Sequence, residues 1–496
     1  MRTTRIFCTS IVLTLVSLLC YAQPRLTVVV VVDGMTQEDL KSLRPFWPKG
    51  GLRMLDEEAY QTTASFTHQV YGGQETMATL MTGTTPNHHS IMSDEYFDRK
   101  SYNTGTNPIQ PILYDNRFAG IGTTLQLSPL SIAATTITDE WRMVYGPESH
   151  IYAIGLQPEA TILMAGHAAN GCCWLSETNQ KWATSSFYSR GLPFVADTMN
   201  INNRIKDLAA LEWQPSMDIN AYPLPIATSN KKPFIYSNSN VMLNSPIANT
   251  LVVDLALALQ SNQQIGLDNT PDLLMLQLNT LSPNAESDMI TSIEQTDLYM
   301  GINQDLGRLF TLLNQRIGRE NYQVLLMGRP VKGYSKETMR KANMPLYHLN
   351  TDRVAALVGA YLIAMNGTDK WVLGGHGPFI YLNRLLIEKK GLSLETFQRL
   401  VANFIMEFEG IQIAYPIHEA VISEDRASVF RKHAGDVYFR LQNNWILDSD
   451  EENTFDYVIQ SEPIIPVLFW SQNAHLLPEN KKIDATEVKS LISPME

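Results

Sequence analysis

Cysteine is nearly absent from this chain. Four of its 496 residues are Cys, and two of them, Cys8 and Cys20, lie in the first 22 residues. The other two, Cys172 and Cys173, are adjacent. A bond between neighbours would close a strained ring, so two buried free thiols are expected, and a disulfide framework is excluded by count. Stability must come from an apolar core, which a chain this long can build. Positive charge is also scarce: 38 Lys and Arg stand against 50 Asp and Glu, for a net charge of -12. Such a balance lacks the basic surface that nucleic-acid binding needs, so no nucleic-acid partner is expected. No internal repeat, low-complexity tract or long run of like charge interrupts the chain. Its length allows about two or three domains at roughly 100–200 residues each, but no linker marks a boundary.

Long apolar runs are lacking too, with one exception at the start. Arg2 and Arg5 precede an apolar stretch from Ile6 to Leu19, followed by Cys20-Tyr21-Ala22. This is the pattern of a secretory signal peptide over residues 1–22, cleaved near Ala22 with Gln23 as the new N-terminus. The stretch is short for a membrane anchor, which needs about 20 apolar residues. A lipoprotein site at Cys20 is disfavoured by Leu19, where a small residue is wanted. Loss of the two leader arginines takes the net charge from -12 to -14. A periplasmic or secreted mature protein with no transmembrane span is expected.

The mature sequence alternates strand and helix signals. Thr27-Val-Val-Val-Val-Val32 is a continuous β-branched run, as in a strand buried on both faces of a parallel sheet. It ends at Asp33-Gly34-Met35, and Thr36 is placed to cap a helix reaching Leu43. Strands are predicted over Ile151–Gly155, Asp272–Leu278, Tyr322–Met327, Asp436–Leu441 and Ile464–Trp470. Helices are predicted over Ile293–Leu313 and over Glu395–Met406, the latter with Ser393 as cap. The alternation argues an α/β fold, with Asp33 at the carboxyl edge of its sheet, where such folds bind ligands. Residues from about 170 to 250 are richer in Asn, Ser, Pro and aromatics, which suggests a cap-like insertion, placed roughly at 95–250.

Several segments together resemble the alkaline phosphatase superfamily, in its bacterial phosphate-monoesterase branch with a threonine nucleophile. They are Val32-Asp33-Gly34-Met35, Met81-Thr-Gly-Thr-Thr-Pro86, Tyr96-Phe-Asp-Arg99, Leu163-Met-Ala-Gly-His-Ala-Ala-Asn170, Tyr381-Leu-Asn-Arg-Leu-Leu-Ile-Glu-Lys-Lys-Gly391 and Ile465-Pro-Val-Leu-Phe469. They follow the family order across nearly all of residues 23–496. The resemblance implies a three-layer α/β/α sandwich around a mostly parallel sheet. It also implies a reaction: two zinc ions about 4 Å apart clamp an in-line displacement at phosphorus, and cationic side chains with an amide hold the remaining phosphate oxygens.

Carried over residue by residue, that machinery is mostly missing. Asp33 keeps the first metal-ligand position. The nucleophile falls on Gly73, which has no hydroxyl and cannot form a covalent intermediate; a slip of one residue offers only Gly72 or Gln74. The phosphate-binding asparagine falls on Asp94. The lysine and arginine of the phosphate clamp fall on Gln157 and Glu159. An Asp-x-x-x-His pair of ligands falls on Ser282 and Glu286. The Asp-His pair after the next strand falls on Arg329 and Pro330, and the last histidine falls on Phe455. No catalytic residue and no bound metal are therefore expected.

Two readings of the remaining Asp33 stay open. Arg329 can supply its counter-charge as a guanidinium paired to the carboxylate. Alternatively Asp33, Glu75, Asp94, Glu159 and Glu286 can gather around a hard divalent cation. The histidines are not expected to rebuild a zinc site: in the family His88-His89 follows the Thr-Gly-Thr-Thr-Pro loop at a position that is not a ligand, His167 belongs to a packing motif, and His376, in Gly374-Gly-His-Gly377, precedes a segment without ligands; His68 could lie near the old site. Three functions compete: a binding or scaffold protein of the cell envelope with another exported protein as partner, a metal-dependent phosphatase or phosphodiesterase with a divergent site, and a hydrolase acting at another pocket.

Overall fold

The computed structural model describes residues 23–494 except 72, 177, 203, 210–211, 214, 219–220, 223–233, 236–241, 282–292, 331–333, 336–342, 449–456, 459–462 and 473–481. Residues 1–22, where a signal peptide is expected, and Gly72, Ser282, Glu286 and Phe455 lie outside the described residues.

A ten-stranded sheet runs through the molecule. Its strands in chain order are β1 (Leu26–Asp33), β2 (Tyr60–Ser65), β3 (Gly120–Ile121), β4 (Ile151–Gly155), β5 (Gly171–Leu175), β6 (Trp182–Ser185), β7 (Asp272–Asn279), β8 (Tyr322–Arg329), β9 (Ile464–Trp470) and β10 (Ile483–Asp484). Their spatial order is β10-β2-β9-β8-β1-β7-β4-β5-β6-β3. The five strands from β8 to β5 are parallel, and β9 and β6 flank them antiparallel. β1 lies between β7 and β8, and all eight of its residues are buried. Its valines alternate: Val28, Val30 and Val32 join one core, Val29 and Val31 the other. That period of two explains the unbroken apolar run, since each face of the strand meets its own helical layer.

Helices cover both faces. α1 (Gln37–Leu43) opens with the Thr36 side chain accepting from the Asp39 amide at 3.1 Å, the cap read from sequence. α2 (Gln74–Thr82) and α3 (Pro158–Ala165) pack on one face; α4 (Pro246–Asn262) and α5 (Ile293–Arg316) pack on the other with α1. Cys172 and Cys173 are buried on opposite faces of β5, one in each core, and both are free thiols.

A second antiparallel sheet has the order Val372–His376, Phe379–Leu382, Val437–Leu441, Ile411–Pro416. Helices Thr351–Asn366 and Leu394–Ile405 close a separate core on one of its faces. The sequence reading places a cap-like insertion at roughly 95–250. Strands β3 to β6 fall inside 95–250 yet belong to the main sheet, and the segment with its own core lies beyond β8.

Candidate functional site

The three central strands end together. In register, Asp33 of β1 stands between Asn279 of β7 and Arg329 of β8. Parallel strands put all three residues on the carboxyl edge, the usual ligand edge of such sheets. Gly34 then turns the chain with a positive φ of 77°, a conformation glycine adopts without penalty.

Arg329 and Asp33 form a buried two-pronged ion pair. Arg329 Nε donates to Asp33 Oδ1 at 2.6 Å and Nη2 donates to Oδ2 at 2.5 Å. Neither side chain has solvent exposure (0% for each). The remaining partners complete the enclosure. Arg329 Nη1 donates to the Gly73 carbonyl at 3.0 Å, and Nη2 also donates to Gln157 Oε1 at 2.9 Å. Removing two charges from water costs several kcal/mol per ion, and only good geometry with further hydrogen bonds offsets it. Both conditions are met, because the guanidinium fork matches the carboxylate.

Gln277 is a site residue that the sequence reading missed. Its Nε2 donates to Asp33 Oδ2 at 2.7 Å, while its Oε1 accepts from the Leu156 and Gln157 amides at 2.6 and 3.0 Å. It thus ties the turn after β4 to Asp33. Gly155 makes room for it, since a Cβ there would meet Gln277 Oε1 at 2.7 Å. A signal existed: Gln277 is the one polar residue inside the apolar run Leu273-Leu-Met-Leu-Gln-Leu278. A fully buried polar side chain in a central strand requires dedicated partners.

Gly73 is the residue before α2 and offers no side chain to cap it. Asp94 does so instead: its Oδ1 accepts from the Gly73 and Gln74 amides, both at 3.1 Å. The neighbouring hydroxyls are turned back onto the helix. Thr76 Oγ1 donates to the Gly73 carbonyl at 2.6 Å, and Thr79 Oγ1 donates to the Glu75 carbonyl at 2.8 Å. Both hydroxyls are thus engaged by carbonyls of the chain around the start of α2. Glu159 is half-buried in the first turn of α3, and Pro330 is half-buried directly after Arg329.

The carboxylates do not converge. Asp33 faces Arg329, Asp94 faces the N-terminus of α2, and the buried Glu75 accepts from the Tyr71 amide at 2.5 Å. Among the described residues no group of three His, Cys, Asp or Glu is placed to hold a metal. A cation at Asp33 would have to displace the guanidinium from both oxygens. The described positions thus do not supply the donor set of a zinc pair.

The histidines are occupied in packing. His68 and His89 flank Thr79 Oγ1 with their Nε2 atoms at 3.4 and 3.1 Å. Burial pushes the His68 imidazole down to about 4, and burial with the nearby His68 holds His89 well below the ordinary range. His167 Nδ1 lies 2.8 Å from Asp139 Oδ2, a bond that raises its pKa. His376 Nε2 lies 3.3 Å from the Glu95 carbonyl, and burial lowers its pKa. His88 is exposed.

Comparison with known proteins places this architecture. Residues 27–329 match the family model described as type I phosphodiesterase / nucleotide pyrophosphatase. Alkaline phosphatase PafA of Elizabethkingia meningoseptica is 24% identical over 95% of this chain and 91% of its own length. Alkaline phosphatase PhoV of Synechococcus elongatus is 23% identical over 70% of this chain and 66% of its own length. The crystal structure of wild-type PafA superposes with a TM-score of 0.80, covering 95% of this chain and 96% of that one at 22% identity.

Proposed function

Given that the chain belongs to the type I phosphodiesterase / nucleotide pyrophosphatase family, within the alkaline phosphatase superfamily, we propose that it is a catalytically degenerate member acting as a binding or scaffold component of the cell envelope. One observation carries this reading: Arg329 holds both oxygens of Asp33, the one family ligand position that the sequence retains. A guanidinium fixed there neutralises the carboxylate without a metal. It also puts a guanidinium where the family resemblance would place a Lewis-acidic metal. Gly73 cannot act as a nucleophile, and Gln157, Glu159 and Asp94 replace the phosphate-holding groups with a neutral side chain and two acids.

Export rests on the leader, which directs cleavage near Ala22 and delivery to the periplasm or beyond. No helix among the described residues is long and apolar enough to cross a membrane. The partner is another exported or envelope protein, and the net charge of the mature chain, -14 after loss of two arginines from -12, favours a basic surface on it.

Family membership alone supports the other reading, a metal-dependent phosphatase or phosphodiesterase with a divergent site, and a fold does not license an activity. Purified mature protein decides between them: metal analysis together with turnover of p-nitrophenyl phosphate and bis(p-nitrophenyl) phosphate. The proposal expects no bound zinc and no turnover of either ester. Turnover abolished by Asp33→Ala would establish the divergent enzyme instead.

A further inference from the structure

We infer that Asp94 is a built-in anion: its carboxylate fills the oxyanion seat at the N-terminus of α2, so the cleft is satisfied by the chain's own charges and refuses phosphate. This rests on the degenerate-site reading above and specifies which ligand chemistry the site excludes.

The peptide group joining Gly73 to Gln74 is held at both ends by charge. Its carbonyl accepts from Arg329 Nη1 at 3.0 Å, and its amide donates to Asp94 Oδ1 at 3.1 Å. The preceding amide, of Gly73, donates to that same oxygen at 3.1 Å. One carboxylate oxygen therefore takes two consecutive N–H groups at the start of a nine-residue helix, the arrangement by which helix N-termini hold phosphate or sulfate. Hydrogen bonds to ions are stronger than neutral ones, and a peptide polarised from both sides strengthens each. Asp33, Arg329, this peptide and Asp94 thus form one chain of alternating charge from the sheet edge to the rim, where Asp94 is exposed.

A separate observation concerns Gln74. Its side chain is buried, and its Oε1 has no hydrogen-bond partner among the described residues. The residue that donates its amide to Asp94 therefore also carries a lone acceptor in need of a donor. An unprotonated phosphate oxygen cannot satisfy it, and Asp94 would repel the phosphate charge.

Binding of inorganic phosphate to the full mature chain, measured by equilibrium dialysis against chloride at matched ionic strength, tests this. The native chain should bind phosphate at least about tenfold more weakly than Asp94→Ala, in which two amides and the helix dipole are released, a difference of about 1.4 kcal/mol. Asp94→Asn keeps the size and the cap while dropping the charge, and should fall between them. It decides the question if the alanine variant does not fold. Equal binding by native and variant chains would overturn the inference, as would folded variants that bind no phosphate. The two proposals remain separable: native binding without ester turnover sinks only the role of Asp94, whereas native turnover sinks the degenerate-site reading itself.

Discussion

At the scale of single residues, the account turns on a buried charge and its partner. Removing one member leaves the other uncompensated, which costs about 3–5 kcal/mol. Arg329→Met should therefore lower unfolding free energy by that amount in a urea titration. Asp33→Asn combined with Arg329→Met should recover part of the loss, because no charge is then stranded. If each single variant is as stable as the native chain, the pair is not buried in solution. The pairing was one of two readings open in sequence, since Asp33 directly follows the predicted strand Thr27–Val32, Arg329 lies two residues past the predicted strand Tyr322–Met327, and one inherited carboxylate needed a counter-charge. The bonds around it were not legible there. Gln277 was passed over because its strand was read for apolar pattern rather than for its one exception. Asp94 was read as a lost donor, whereas its carboxylate accepts from the Gly73 and Gln74 amides; only the three-dimensional path of the chain brings those groups together.

Histidine protonation adds a pH dependence at the same scale. His68 is held near 4 by burial, below its unfolded value of about 6.5. A depressed folded value means that its contribution is complete above the unfolded value and is lost as pH falls toward the folded one. That window, from about pH 6.5 down to about 4, removes about 3 kcal/mol, with His89 acting in the same direction. Thermal melts of His68→Leu should show a flatter acid limb than the native chain. His167 has the opposite sign. Its bond to Asp139 raises its pKa, so that contribution is complete below the unfolded value and fades as pH rises through the folded one. His167→Gln should remove this alkaline loss. An unchanged pH profile in both variants would show that neither ring is held in the state described.

At the scale of elements, local signals worked where the chain's own chemistry decides the structure. The valine run became β1 because two helical layers bury it from both sides. Thr36 became the cap of α1 through a single side-chain bond, and Thr36→Ala should cost about 1 kcal/mol of unfolding free energy. No measurable cost would mean that this cap is dispensable. Signals failed where pairing partners decide. The short strands β3 and β6 carry no run long enough to announce a main sheet, yet they extend it at its edge. The second sheet is built on Val372–His376 and Phe379–Leu382, for which no strand is predicted, and on Val437–Leu441, which overlaps the predicted strand Asp436–Leu441. Composition distinguishes buried from exposed, and it says little about which sheet a buried strand joins.

At the scale of the whole molecule, the scarcity of cysteine has a direct consequence. Cys172 and Cys173 point into opposite cores of one strand, so no bond between them contributes to stability, and burial pushes both thiols up. Melting temperature should be the same with and without dithiothreitol. A drop on reduction would show that the two sulfurs are bonded after all. The three-layer architecture survives with a TM-score of 0.80 to an alkaline phosphatase of 22% identity, while the edge where that fold places its ligands is closed by the chain's own ion pair. On the proposed reading, architecture is kept while chemistry is lost, because sheet and core depend on many apolar positions and the reaction on a few polar ones.

The most direct test is the zinc content of the mature chain after equilibration with a zinc buffer and gel filtration. The account predicts far less than one ion per chain, because Arg329 already holds both oxygens of Asp33. A content of about two ions per chain, the complement of a two-metal phosphoryl-transfer site, would contradict it.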